Sequence, residues 1–126
     1  MPVLLSFLVT TLQQSGLCHS VRVLETHPFS DRQFALKLRA ELFMGDILQV
    51  RIYRNEDHID YSYQLLRENQ PVLRWDNKEH FPEISTYPHH FHSPSGQVQP
   101  SLLSGEPVAD LPEVLRFLTS RSPDQS

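Results

Sequence analysis

Residues 33–43 carry the pattern that most restricts the fold. Phe34, Leu36, Leu38, Ala40 and Leu42 alternate with Gln33, Ala35, Lys37, Arg39 and Glu41. Successive strand residues point to opposite faces, so this period-two alternation predicts a strand with one buried face. The neighbouring segments repeat it. Met44-Gly45-Asp46 reads as a tight turn into a strand over 47–53, with Leu48, Val50 and Ile52 inward. Arg54-Asn55-Glu56-Asp57 turns into a strand over 58–66, where Ile59, Tyr61, Tyr63 and Leu65 share a face. Glu68-Asn69-Gln70 leads to a short strand over 72–76, and residues 20–25 form a further strand upstream, followed by a turn over THPFSDRQ. Consecutive strands joined by short turns favour an antiparallel meander.

Two helices frame the strands. Leu4, Leu8 and Leu12 repeat at i, i+4 and i+8, which predicts a helix over 3–14 stopped at Gly16. Near the other end Asp110 reads as a cap, Pro112 as a first-turn residue, and Leu111, Val114, Leu115 and Leu118 as the apolar stripe. The tail from Ser120 is polar and expected to fray. The expected fold is α+β: a single mostly antiparallel β-sheet of about five strands, with the N- and C-terminal helices packed on one face. Residues 1–126 are read as one domain. Between 77 and 104 the patterning fails where Pro82, Pro88, Pro94 and Pro100 each remove a backbone donor. So long a loop in a small domain is often functional.

Composition narrows the function classes. The net charge of −4 argues against strong non-specific attraction to nucleic acid, while leaving room for a local basic cleft. The only cysteine, Cys18, cannot form an internal disulfide and reads as a small core residue. The apolar start lacks a basic n-region and is too short and too interrupted by Thr and Gln to span a bilayer, so no membrane association and a cytoplasmic location are expected. There is no glycine-rich phosphate loop, no nucleophile elbow and no Cys-x-x-Cys.

The loop holds the candidate chemistry. His80, His89, His90 and His92 fall within thirteen residues, near Arg74, Asp76 and Lys78. Imidazole changes charge near neutral pH and also ligates metals. Pro88 favours extended backbone before it; if 89–92 stay extended, His90 and His92 share one face while His89 and Phe91 take the other. Arg74 and Asp76 likewise share a face, opposite Trp75, which reads as a core anchor. The charges Glu25, Arg39 and Glu41 read as a solvated sheet face, and Arg51, Arg54, Glu56, Asp57 and Asp60 as hairpin surface.

The ordered set Tyr61-Ser-Tyr63, Arg74-Trp75-Asp76-Asn77, His80-Phe81-Pro82-Glu83 and Thr86-Tyr87-Pro88-His89-His90-Phe91-His92 resembles the TumE family of toxins from type II toxin–antitoxin systems. The likeness is dense between 61 and 92. It departs at Lys78-Glu79-His80-Phe81, where the family usually shows Ala-Pro-His-His, and at Tyr87, commonly Phe. The resemblance implies a toxin with a cognate antitoxin as protein partner and RNA as its target.

Three functional expectations follow. The first is a metal-independent endoribonuclease with no cofactor: His90 and His92 as acid and base, His80 as a substitute for one of them, Arg74 as phosphate clamp and Asp76 orienting a histidine. Tyr61, Tyr63 and Tyr87 would contact bases, with Lys78 as a further substrate contact. The second is a site for zinc or another divalent metal built on His80, His90 and His92, with Asp76 or Glu79 as further ligands. The third is a non-catalytic protein whose His-rich loop is structural, binding an antitoxin or, through exposed sheet edges, a second copy of itself.

Overall fold

The computed structural model describes residues 2–121. The elements run α1 (Pro2–Gln14), β1 (Cys18–Ser30), β2 (Gln33–Leu42), β3 (Ile47–Asn55), β4 (His58–Arg67), β5 (Gln70–Asp76), β6 (His90–His92), β7 (Val98–Pro100) and α2 (Pro107–Ser120). The seven strands form one antiparallel sheet in chain order, from β1 at one edge to β7 at the other. The architecture is the expected α+β sheet with terminal helices, carrying seven strands in place of five. Of the polar tail, residues 122–126 lie outside the described residues.

The alternation does what its period requires. Phe34, Leu36, Leu38, Ala40 and Leu42 of β2 are buried, as are Leu48, Val50 and Ile52 of β3, Tyr61, Tyr63 and Leu65 of β4, and Leu73 and Trp75 of β5. The helices complete this layer with Leu8 and Leu12 from α1 and Leu111, Val114, Leu115 and Leu118 from α2. Trp75 sits at its far end, its ring centre 4.8 Å from that of Phe91 and 5.2 Å from that of Phe117.

Local chemistry sets the corners. At the β4–β5 hairpin Glu68 and Asn69 both have positive φ, 51° and 64°. A two-residue hairpin turn of the type matching strand twist needs that conformation at both positions, and asparagine tolerates it well. The β2–β3 turn ends on Asp46, whose buried carboxylate receives both Nε and a terminal nitrogen of Arg67, each at 2.9 Å. This two-pronged pair ties the turn to the end of β4.

Three expectations need correction. β1 continues through Thr26–Ser30, where a turn was expected; it is an edge strand, so Pro28 needs no partner on its open side. The segment 77–104 is not wholly loop, because 90–92 and 98–100 add two short strands. The last helix starts at Pro107, not beside Asp110, and Pro112 lies inside it. Asp110 instead accepts hydrogen bonds from Ser104 N, Ser104 Oγ and Gly105 N at 2.9, 3.0 and 2.8 Å, holding the entry to α2.

Candidate acid–base site on the open face of the sheet

The helices cover one side of the sheet, so β5 and β6 present their alternate residues on the other. Pairing puts Asp76 opposite His90 and Arg74 opposite His92. Strand alternation therefore gathers Arg74, Asp76, His90 and His92 on the open face, while Trp75 and Phe91 enter the core.

Asp76 is the hub. Its carboxylate is almost fully buried and faces four nitrogens: Arg74 Nε at 2.7 Å and His92 Nε2 at 3.5 Å on Oδ2, and Lys78 N and His90 Nε2, both at 2.9 Å, on Oδ1. Arg74 spends Nε on this contact, which leaves its terminal nitrogens for another acceptor.

The two histidines differ in access. His92 has a side chain 34% exposed. Desolvation pulls its pKa below the ordinary imidazole value; Asp76 opposes that pull, while His90 and Arg74 add to it. A neutral His92 that keeps its proton on Nε2, towards Asp76, leaves Nδ1 free to accept one. His90 is 1% exposed. Its Nδ1 lies 3.0 Å from the carbonyl oxygen of Pro88, which can only accept, so Nδ1 donates. Nε2 then turns towards Asp76 Oδ1 at ion-pair distance but without hydrogen-bond alignment. In neutral His90 two lone pairs would face each other there. A cation held by both atoms would make the contact attractive. The ligand atoms of Asp76, His90 and His92 all lie within 4.8 Å of one another, a set able to hold a divalent ion with positions left open.

The remaining candidates divide. His80 is exposed and stands outside this cluster, its ring centre 6.4 Å from that of Phe81. Phe81 meets His90 and His92 edge-on at 4.8 and 5.9 Å, so it forms a wall of the site. Tyr61 and Tyr63 are 3% and 0% exposed on the core face, which removes them as base-stacking residues. Burial raises both phenol pKa values. The Tyr61 hydroxyl shares a hydrogen bond with His89 Nδ1 at 2.8 Å, its direction set by the imidazole tautomer. His89 is thus a structural partner, as its side of the strand implied. Tyr87 is 42% exposed and Lys78 is exposed, both open to a ligand.

Two other motif residues fasten the loop. Asn77 Nδ2 donates to Ile59 O at 2.6 Å, and its Oδ1 accepts from Tyr61 N at 3.1 Å. Thr86 Oγ1 donates to His89 O at 2.6 Å and accepts from Ser101 N at 3.0 Å.

A single antiparallel sheet with helices on one face and a His–Asp–Arg cluster on the other defines a small α+β protein with a candidate acid–base site on its open face. The chain belongs to the Toxin TumE family, whose model matches residues 8–122. That family comprises toxins of toxin–antitoxin systems, for which an antitoxin is the expected partner. No curated protein and no solved structure matches the chain. Among the described residues no helix is long and apolar enough to cross a membrane.

Proposed function

We propose that this toxin is an endoribonuclease acting on RNA in the cytoplasm by histidine acid–base chemistry. The observation that carries the reading is the partly exposed His92, with Nε2 3.5 Å from a buried carboxylate that also anchors Arg74. In transphosphorylation the RNA 2′-oxygen attacks the adjacent phosphorus, the bond from phosphorus to the 5′-oxygen breaks, and a 2′,3′-cyclic phosphate and a 5′-hydroxyl result. His92 Nδ1 takes the 2′-hydroxyl proton. The free nitrogens of Arg74 meet the charge growing on the phosphoryl oxygens. His90 is too buried to touch substrate, so its role is positional: its ring packs behind Asp76 and limits where that carboxylate can move. The acid that protonates the leaving 5′-oxygen is assigned to exposed His80, one ring away across Phe81.

The test is cleavage of labelled RNA by purified protein in EDTA. Wild type is expected to cut, leaving cyclic phosphate ends, and His92→Ala to lose the activity. A His92→Ala protein as active as wild type removes His92 from the mechanism. The close approach of Asp76, His90 and His92 favours a second reading, a divalent metal at the same site. In that case EDTA abolishes cleavage, zinc or another divalent ion restores it, and tag-free protein carries stoichiometric metal. RNA left intact with and without metal favours the non-catalytic reading.

A further inference from the structure

The open face extends well beyond the acid–base cluster. Asp76 pairs with Ser62, Ser62 with Arg51, and Arg51 with Lys37, so these four residues form one row across β5, β4, β3 and β2. With strands about 4.8 Å apart, the row runs roughly 14 Å from Asp76 to Lys37. The row has an uneven profile. Ser62 is short and buried, and Ala35 lies opposite Tyr53 on the neighbouring row. Long side chains rise around these small ones: Lys37, Arg51, Arg74, Lys78 and Tyr53 line a cleft of about 240 Å³.

The cleft has the opposite sign to the protein. Its lining includes four cations against two carboxylates, Glu25 and Asp60, whereas the chain carries a net charge of −4. It also has an aromatic side chain in the right place. Tyr53 is 47% exposed, on the same face of β3 as Arg51 and two residues from it. Buried aromatics explain themselves by packing; a half-exposed tyrosine among cations on a sheet face offers a flat apolar surface beside anion-binding groups. Finally, the cleft is continuous with the acid–base site, because Arg74 lines both this cleft and the adjoining one that contains Asp76 and His92.

We infer that this cleft is the binding track for single-stranded RNA flanking the cut site, with phosphates on Lys37, Arg51 and Lys78 and a base stacked on Tyr53. The inference rests on the ribonuclease reading and deepens it. Single-stranded RNA fits because a base must be unstacked from its neighbours to lie on a tyrosine ring, and a sheet that pairs aromatic and basic side chains recognises RNA in that form. The role expected of Tyr61 and Tyr63 thus passes to a tyrosine on the other side of the same sheet.

A fluorescent single-stranded 2′-O-methyl RNA tests it, since it lacks the attacking hydroxyl and cannot be cut. Binding is read by anisotropy over a salt series, beside KM and kcat on unmodified RNA. Tyr53→Ala is expected to weaken binding about tenfold and raise KM with little loss of kcat, and Tyr53→Phe, which keeps the ring, to restore both. Lys37→Ala/Arg51→Ala is expected to reduce the slope of log affinity against log salt by about 1.4, the value for two phosphate contacts on a single strand. Wild-type cleavage with affinity, slope and KM unchanged in these variants overturns the track and leaves the ribonuclease reading standing. Wild type that neither binds the oligonucleotide nor cuts RNA ends both. Variants that lose the antitoxin while binding RNA normally assign the cleft to the antitoxin and overturn the inference.

Discussion

The two faces of the sheet are built from the same strands but obey different rules. On the helix-covered face the buried positions of β2–β5 are all apolar or aromatic, and even Tyr61 and Tyr63 are sealed from solvent. On the open face the same strands present Lys37, Arg51, Ser62, Arg74, Asp76 and His92, and strand pairing aligns them in rows. A single residue step decides which rule applies. Tyr61 and Ser62 are neighbours, as are Trp75 and Asp76, and His89 and His90. In each pair the first member serves the core or the loop anchor and the second serves the open face. A dense sequence motif is therefore two interleaved motifs, one structural and one chemical.

This division can be broken or sharpened by substitution. The largest effect is expected from His92→Ala on the open face: a loss of about 10²- to 10⁴-fold in RNA cleavage, measured by initial rates. Its unfolding free energy should stay within about 0.5 kcal/mol of wild type, because the side chain is partly exposed. Tyr63→Ala on the covered face reverses the pattern. Removal of a fully buried ring is expected to cost about 3–5 kcal/mol in denaturant unfolding. Tyr61→Phe is milder, since it deletes only the hydrogen bond to His89 and should cost about 1 kcal/mol while the rate is retained. A large rate loss in Tyr61→Phe would mean that the faces are coupled through His89.

The smallest effect concerns pH. Desolvation lowers the His92 pKa in the folded protein. In metal-free buffer the limb of the rate profile set by the base should therefore fall off below the usual imidazole value near 6.5. The stability sign follows from the same shift. Between the folded and unfolded pKa values the unfolded chain binds more protons, so the His92 contribution is present above about 6.5 and is lost as pH falls through the folded value. His92→Gln should flatten that part of a plot of unfolding free energy against pH.

How much of this was legible in the sequence depended on whether a residue's surroundings are local. The β2–β5 meander could be read because one covered face imposes alternation on each strand. The pairing of His90 with His92 and of Arg74 with Asp76 was legible for the same reason. β6 and β7 were not, because three residues are too few to show a period. The far half of β1 was not, because an edge strand exposed on both sides has no apolar rhythm. The sequence also could not show that His90 is sealed and His92 is not. Their burial depends on Phe81 and on strands that pair across the loop. Arg51 read as a hairpin charge because nothing in the sequence places it one strand from Ser62 and two from Asp76.

One corner of the molecule depends on a single nitrogen. Asn77 fastens the loop to β4 by mimicking a peptide group, donating to Ile59 O and accepting from Tyr61 N. Conversion of that amide to a carboxylate, by substitution or by slow deamidation, exchanges NH2 for oxygen and scarcely changes its size. The Tyr61 N bond survives, but the other contact becomes one of oxygen against oxygen. The placement of the loop that carries Phe81 and leads to His90 is thus exposed to a kind of chemical ageing that leaves the hydrophobic core intact.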